Sequence, residues 1–452
     1  MEVDVQGGGP WRRWRARALT LWASTRAWAF VGALCTRGAG FIASFSLARF
    51  AGPEALALYV STVVTAAVVS TPLATVLFNG GTLAASASPS AVWSRRLLRA
   101  SMGLAGLCLL PLALVFVGMQ SQVGQAQAGQ GVPSMAWVLV AGLSALGGQV
   151  MSYGLTGLLN GLGAQLPAAR QQAVLSTLLM PLSLPSVYFL GLQGACAVLV
   201  LSSWLPVLML WQLGRRCLGA DWRPADGEVC DASESAWHVM VVQLRAGVPN
   251  AIALIAAGAG SWYCSIYLVQ HHLGPQGVAV LAVATQWTTL ILMPATSWGG
   301  VVLRELAHLR LQSDSHRRLL PALSRLMLRN VAVTGAVAAV VLLAMHWIEV
   351  GYRLQGLGLP VLMAVSTAAA LVSSANGVLE RALITWQKQW QLMAFSFVGL
   401  AAQVGCTLAF ISTSLTAVQW GLMLSVTLSG GLSLWFLQRT TRGAPRGRED
   451  QA

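Results

Sequence analysis

Runs of about 20 apolar residues return along almost the whole chain, and a run of that length, coiled as an α-helix, spans the hydrocarbon core of a bilayer. In the first half they fall near 27–48, 56–78, 97–118, 135–158, 171–190 and 195–213. In the second half they fall near 247–269, 277–300, 330–349, 357–379, 391–410 and 417–437. Only 9% of the residues are charged and 56% are hydrophobic, whereas a soluble domain carries about 25% charged residues. The sequence thus predicts an all-α polytopic membrane protein with twelve transmembrane helices. The fifth and sixth spans are separated only by a tight turn at Gly191 and Gly194.

The two halves echo each other. Gly52-Pro53 and Gly274-Pro275 each follow the first span of their half, and Pro72 and Pro294 each lie inside the next one, both pairs 222 positions apart. A third echo sets GLLNGLGAQ at 157–165 against GVLERALIT at 377–385, at an offset of 220. Two like-oriented halves predict two pseudo-symmetric six-helix lobes around a central cavity, a plan that suits a transporter. The lobes are expected at 27–213 and 247–437, with a basic arm at 1–26, a polar linker at 214–246 and a basic tail at 438–452. The arm, with Trp11, Trp14 and Trp22, reads as an interfacial helix on anionic lipid.

A net charge of +14 could suggest nucleic acid, but its distribution does not. Of the 28 Lys and Arg, 25 fall on one side of the membrane when the spans alternate; only Arg49 and Arg353 fall on the other, and Arg37 lies within a span. This is the positive-inside pattern, with both termini cytoplasmic. The basic first 26 residues and the long apolar segment after them do not read as a cleavable signal peptide. The seven cysteines show no metal or disulfide spacing, and no metal or cofactor is expected. The outer loop at 120–133 is Gln- and Gly-rich, and no outer loop is long enough to build a catalytic domain. That argues against an enzyme such as a glycan polymerase or ligase.

Arg37 stands about ten residues into the first span. A cation at a helix centre costs at least ~2.5–3.5 kcal/mol in lipid, so it should face a cavity or a partner. No acidic residue sits mid-span; Glu349 lies at an outer end, and Glu305 and Glu380 at inner ends. Two readings of Arg37 stay open. It binds an anionic ligand such as phosphate, with Gly38 and Gly40 thinning the helix for its approach. Alternatively it bonds the carbonyls of a neighbouring helix. Arg49, at the outer end of the same span, either snorkels to the interface or joins the site. Asn79 and Asn250 near span ends, and Gln149, Gln286 and Gln403 deeper, either tie helix to helix or meet a ligand. Prolines 72, 181, 185, 249 and 294 are candidate bending points.

The segment RGAGFIASFSLARFAGPEALALY at 37–59 resembles the first-span signature of the polysaccharide-flippase branch of the multidrug/oligosaccharidyl-lipid/polysaccharide exporter superfamily. The matching positions are Arg37, Gly40-Phe41, Ala48-Arg49, Gly52-Pro53 and Tyr59, followed by FNGGTLAAS at 78–86, which holds Asn79. The resemblance implies two six-helix lobes in the bacterial inner membrane. It also implies transfer of an undecaprenyl-pyrophosphate-linked oligosaccharide to the outer leaflet for O-antigen or exopolysaccharide synthesis, without covalent chemistry. Arg37, Arg49, Asn79 and Asn250 would contact the substrate, and membrane lipids and the glycan polymerase machinery would be partners. The lipid II flippase carries a second arginine six positions after the first, where this chain has Ala43. The multidrug extruders use a mid-span carboxylate that is missing here. A small-molecule efflux carrier remains the rival within transport, and a non-transporting scaffold for glycan assembly is a further alternative. The charge alternation yields a direct expectation for topology. Cysteines introduced in 120–133 should label with a membrane-impermeant thiol reagent from outside, and those in 221–235 should not. Labelling of both from one side would refute the twelve-span topology.

Overall fold

The computed structural model describes residues 25–87, 91–127, 135–217, 241, 251–310, 315–386 and 388–442. Most of the expected N-terminal arm and linker, much of the C-terminal tail, and Asn250 lie outside the described residues. Every regular element among the described residues is helical. The first half comprises α1 (Thr25–Phe50), α2 (Pro53–Ala87), α3 (Ala91–Gln127), α4 (Met135–Gly161) and α5 (Gln165–Cys217). The second comprises α6 (Ala251–Ser297), α7 (Gly299–Arg310), α8 (Ser315–Leu343), α9 (Met345–Tyr352), α10 (Leu359–Thr385), α11 (Gln389–Phe410) and α12 (Thr416–Arg442). Lipid offers no partner for backbone polar groups, which confines spanning segments to self-satisfied helices. Among the described residues nine helices are long and apolar enough to cross a membrane. The arginine-bearing α1, of 26 residues, falls outside the nine but packs along α5 in the same bundle.

Two of the nine are too long for a single pass. Helix α5 has 53 residues and α6 has 47; at 1.5 Å per residue either would run about 70 Å or more, twice the hydrocarbon thickness. Each is broken at a glycine. Gly191 stands at φ 57°, ψ −131°, and a side chain on Gly194 would collide with the carbonyl of Ser186, so the chain reverses there. Gly274 stands at φ 69°, ψ −171°, and Pro275 follows it. The predicted counterpart, Gly52, has φ 90° and precedes Pro53, the first residue of α2. The Gly-Pro echo is therefore one backbone device used twice: a glycine in a conformation closed to other residues, then a proline preset for the first helical turn. Pro72 and Pro294, the second echo, lie within α2 and α6, and neither interrupts its helix.

The packing repeats as well. Helix α2 packs on α3 and α4, and the second limb of α6 packs on α8 and α10. Helix α4 packs on α5 as α10 packs on α12. The halves meet chiefly where α1 and α2 touch α6.

The hydrophobic core shows how they meet. One buried cluster holds residues of both halves, among them Leu47, Leu56, Val187, Val269, Met345 and Leu359. These come from the helix ends near Gly52, Gly191 and Gly274, the end that carries Arg49 and Arg353. At the opposite, arginine-rich end each half has a core of its own. Leu155, Leu159, Ala168 and Leu210 form one, and Leu306, Leu319, Leu379 and Leu392 form the other. Among the described residues the halves thus share a core at the arginine-poor end and have separate cores at the arginine-rich end. The conformation of Gly274 makes a stability prediction. Gly274→Ala should destabilise the protein by about 1–3 kcal/mol, read as a fall in melting temperature in detergent. Gly405→Ala, on a helical residue with open space around it, should leave that temperature unchanged or raise it.

Candidate functional site

A cavity of about 660 Å³ lies between the halves. From the first half it is walled by one face of α1, including Arg37, Phe41 and Ser44, by Val60, Val63 and Val64 of α2, and by Met180 of α5. From the second half come both limbs of α6, with Ser265 and Gln286, and Gln403 and Gln419 of α11 and α12. Aliphatic and aromatic side chains predominate. Arg37 is the one charged side chain among those lining the cavity. The described acidic residues, Glu54, Glu305, Glu349 and Glu380, are not part of that lining.

The face of α1 that lines the cavity is also the face that holds the halves together. Residues 37, 41 and 44 are spaced three and four apart, so they stack on one side of a helix. Each meets the second limb of α6. Arg37 Nη1 donates to the carbonyl of Thr289 at 2.8 Å. Phe41 sets its ring edge-on to Trp287, centroids 4.5 Å apart. Gln286 Nε2 donates to Ser44 Oγ at 2.6 Å. Trp262 adds a buried bond, Nε1 to Thr65 Oγ1 at 2.8 Å. Phe41 and Phe45 extend the seam by meeting Tyr352 edge-on at 6.3 and 5.3 Å. Arg37 is the rung nearest the arginine-rich end, where the halves part. A guanidinium has five N–H donors, so the bond to Thr289 leaves most of them for a ligand.

The flanking glycines differ. A side chain on Gly40 would meet nothing within 4 Å, and this residue opens the wall beside Phe41. Gly38 is filled by Met180, whose sulfur and methyl lie 3.3 and 3.2 Å from where a Cβ would stand. Of the expected ligand residues, Arg37 lines the cavity. Arg49 is exposed at the end of α1, outside the cavity lining. Asn79 lies in the last third of α2, toward the arginine-rich end of the bundle, and Asn250 lies outside the described residues. The deep amides divide. Gln149 accepts from Ser70 at 2.6 Å and ties α2 to α4, and Gln286 ties α6 to α1. Gln403 and Gln419 line the cavity without such ties; Gln419 was not singled out from sequence. An unpaired buried amide costs about 1–3 kcal/mol, a point taken up below.

No protein-family model matches the chain, and no curated protein matches it in sequence. Solved structures do match in fold. An inward-facing multidrug resistance MATE family transporter of the MOP superfamily superposes with a TM-score of 0.66, at 15% identity over 92% of this chain and 98% of that one. The fold is that of the MATE transporters. An outward-facing conformation of a MATE family transporter, likewise described as multidrug resistance, superposes at 0.58, with 14% identity over 93% of this chain and 97% of that one. A MOP superfamily transporter from Pyrococcus furiosus, described as having a binding pocket of reverse polarity, gives 0.61 at 13% identity, over 93% and 95%. At such identities the likeness carries the MATE fold and no cargo.

The seam makes its own prediction. In a cysteine-depleted background, Ser44→Cys with Gln286→Cys should be bridged by a short bis-methanethiosulfonate reagent, because the native side chains are in hydrogen-bond contact across the length of the glutamine. The cross-link should hold the arginine-poor end shut, read as a rise in melting temperature in detergent that reduction reverses. Complete cross-linking without such a rise would show that this seam does not hold the halves together.

Proposed function

We propose that this protein is a membrane exporter that works by alternating access between two six-helix lobes, here open toward the cytoplasm, and that its cargo carries an anionic group. The twelve spans of this reading are the nine apolar helices, with α5 and α6 each counted twice, and α1. Both termini are cytoplasmic, in keeping with the placement of 25 of 28 basic residues. The inward-open assignment is supported by the core that, among the described residues, joins the lobes at the arginine-poor end only. The higher TM-score of the inward-facing relative, 0.66 against 0.58, agrees with it.

The observation that carries the cargo class is Arg37, a cation in a cavity with no carboxylate in its lining. A cationic drug would meet net repulsion there, whereas a phosphate would find a planar donor array. The first-helix resemblance makes a pyrophosphate-linked oligosaccharide the preferred cargo, for surface polysaccharide synthesis in the bacterial inner membrane. Its lipid tail would stay in the bilayer and its head would enter between the lobes. Export of small molecules is the second reading. It is favoured by the names of the multidrug transporters that share the fold, and the cavity volume of about 660 Å³ is that of a drug-sized site.

In the preferred reading Arg37 serves both roles that the sequence left open. It holds the lobes through Thr289 when the cavity is empty. Cargo arriving from the open end meets this rung first, and an anionic oxygen competes with a neutral carbonyl for the guanidinium. A hydrogen bond to a charged partner is about twice as strong as a neutral one, so loading loosens the seam that keeps the far end shut.

The test is transport in proteoliposomes of a fluorescent prenyl-pyrophosphate glycolipid and, separately, of a cationic dye, for three variants of equal abundance. Arg37→Ala should lower glycolipid transport at least roughly tenfold, the loss of about 1.5–3 kcal/mol for a charged hydrogen bond. Arg37→Lys should retain part of the activity, since it keeps the charge and loses the fork. Arg37→Gln should fail as Ala does. A potential negative on the cytoplasmic side should speed glycolipid export. Dye transport that survives Arg37→Ala, with no glycolipid transport by the native protein, would overturn the anionic reading in favour of drug export.

A further inference from the structure

Two amides in the cavity make no side-chain hydrogen bond to a neighbouring helix among the described residues. Gln403 is only 5% exposed and Gln419 only 4%, yet both line the cavity. Gln419 Oε1 has no hydrogen-bond partner, and no side-chain hydrogen bond joins either residue to its surroundings among the described residues. Most buried amides elsewhere in the bundle are tied: Asn376 to Glu380 and Ser429 at 3.0 and 3.4 Å, Gln120 to Thr62 at 3.1 Å, and Asn330 to the carbonyl of Ser374 at 3.5 Å. Glycine 421 brings α12 against α11 at this point, since a Cβ there would lie 2.8 Å from the carbonyl oxygen of Gln403. Two helices are thus pressed together beside two untied amides that line the cavity.

We propose that Gln403 and Gln419 form a neutral subsite for the hydroxyl-bearing part of the cargo, the glycosyl group next to the anion. An amide carries two donors and an acceptor, the complement of a hydroxyl that both gives and takes a hydrogen bond. An apolar drug in the same place would leave the amides unpaired, at a loss of roughly tenfold in affinity for each. A hydroxyl-rich ring satisfies them. The cavity thereby has two walls of different chemistry, a cation on the first lobe and uncharged hydrogen-bonding groups on the second. The inference rests on the proposed export of an anionic cargo for the identity of the neighbouring group only.

The test uses the full chain in lipid nanodiscs and two probes, farnesyl pyrophosphate and the same lipid with one hexose on its terminal phosphate. The native protein should bind the glycosylated probe about tenfold more tightly. Gln403→Met and Gln419→Met, which keep volume and remove the amide, should each erase most of that difference while binding the bare lipid as before. Neither should lower the melting temperature, because removing an unpaired buried polar group relieves a desolvation penalty, whereas a tie between helices would be missed. Unchanged sugar preference in both variants, equal loss for both probes, or a marked loss of thermal stability would each overturn the subsite. If farnesyl pyrophosphate does not bind at all, the anionic reading fails, and the subsite stands or falls on farnesyl hexoside against farnesol. A preference for the hexoside that the Met variants lose supports it, and equal binding overturns it.

Discussion

Three of the side-chain contacts that join the lobes of this protein lie along a strip of one helix face. Arg37, Phe41 and Ser44 of α1 against Thr289, Trp287 and Gln286 of α6 span seven residues, about 10 Å along a helix axis. Apolar packing in a membrane gains little from the hydrophobic effect, since lipid tails are as apolar as leucine; directional contacts and close fit must supply the difference. That explains why the seam mixes a charged bond, an aromatic edge and an amide-hydroxyl pair. It also explains why the seam can open. Each rung is worth a modest amount, and on the proposed reading their sum is within reach of the differential binding energy of one charged cargo.

The position of the cation within the seam decides what can disturb it. Had the charged rung stood near Tyr352, at the sealed end, cargo entering from the open end could not have reached it. Standing innermost, Arg37 is at once the most exposed of the three contacts to the cavity mouth and the one whose bond an anion can best replace. The residues beyond it, Phe41 and Ser44, are then shielded by the first. On the proposed reading, this order of contacts is a physical basis for coupling loading to opening without a separate trigger.

Much of this plan was legible in the sequence because it depends on residue chemistry that few alternatives satisfy. Gly52 and Gly274 take backbone conformations open to little but glycine, so the Gly-Pro echo survives in the sequence as a visible repeat. Gly191 marked its turn for the same reason. The arginine at position 37 was conspicuous because a mid-span charge is costly. The pairing of amides was not legible, since Gln149 and Gln403 look alike in a linear sequence, and only the neighbouring helix decides that one is tied to Ser70 and the other lines the cavity. Nor was the opening of one end. A sequence specifies every state its chain can adopt, and a buried core that is shared between the halves at one end and, among the described residues, separate at the other belongs to one state alone. Arg49 and Asn79 drew notice by lying in the same motif as Arg37. Nearness along a helix is not nearness to a cavity, and the structure puts Arg49 at the exposed end of α1.

A cavity with a cation and no carboxylate also bears on how export could be driven. Carriers of cations need an acidic group to exchange cargo for an ion, but an anion leaving the cytoplasm moves down the electrical gradient of an energised membrane. Each unit of charge moved through 100 mV is worth about 2.3 kcal/mol. A pyrophosphate diester with two charges would gain about twice that, or more than a thousandfold in equilibrium distribution. On the proposed reading the missing coupling carboxylate is therefore no gap in the machinery, because the cargo brings its own charge to the membrane potential. Arg37 then has to neutralise the anion enough for it to enter the low-dielectric space between the lobes, and to bind it weakly enough to let it go. One guanidinium that also has a carbonyl to return to meets both demands: rebinding of Thr289 offsets the loss of the cargo and closes the seam behind it.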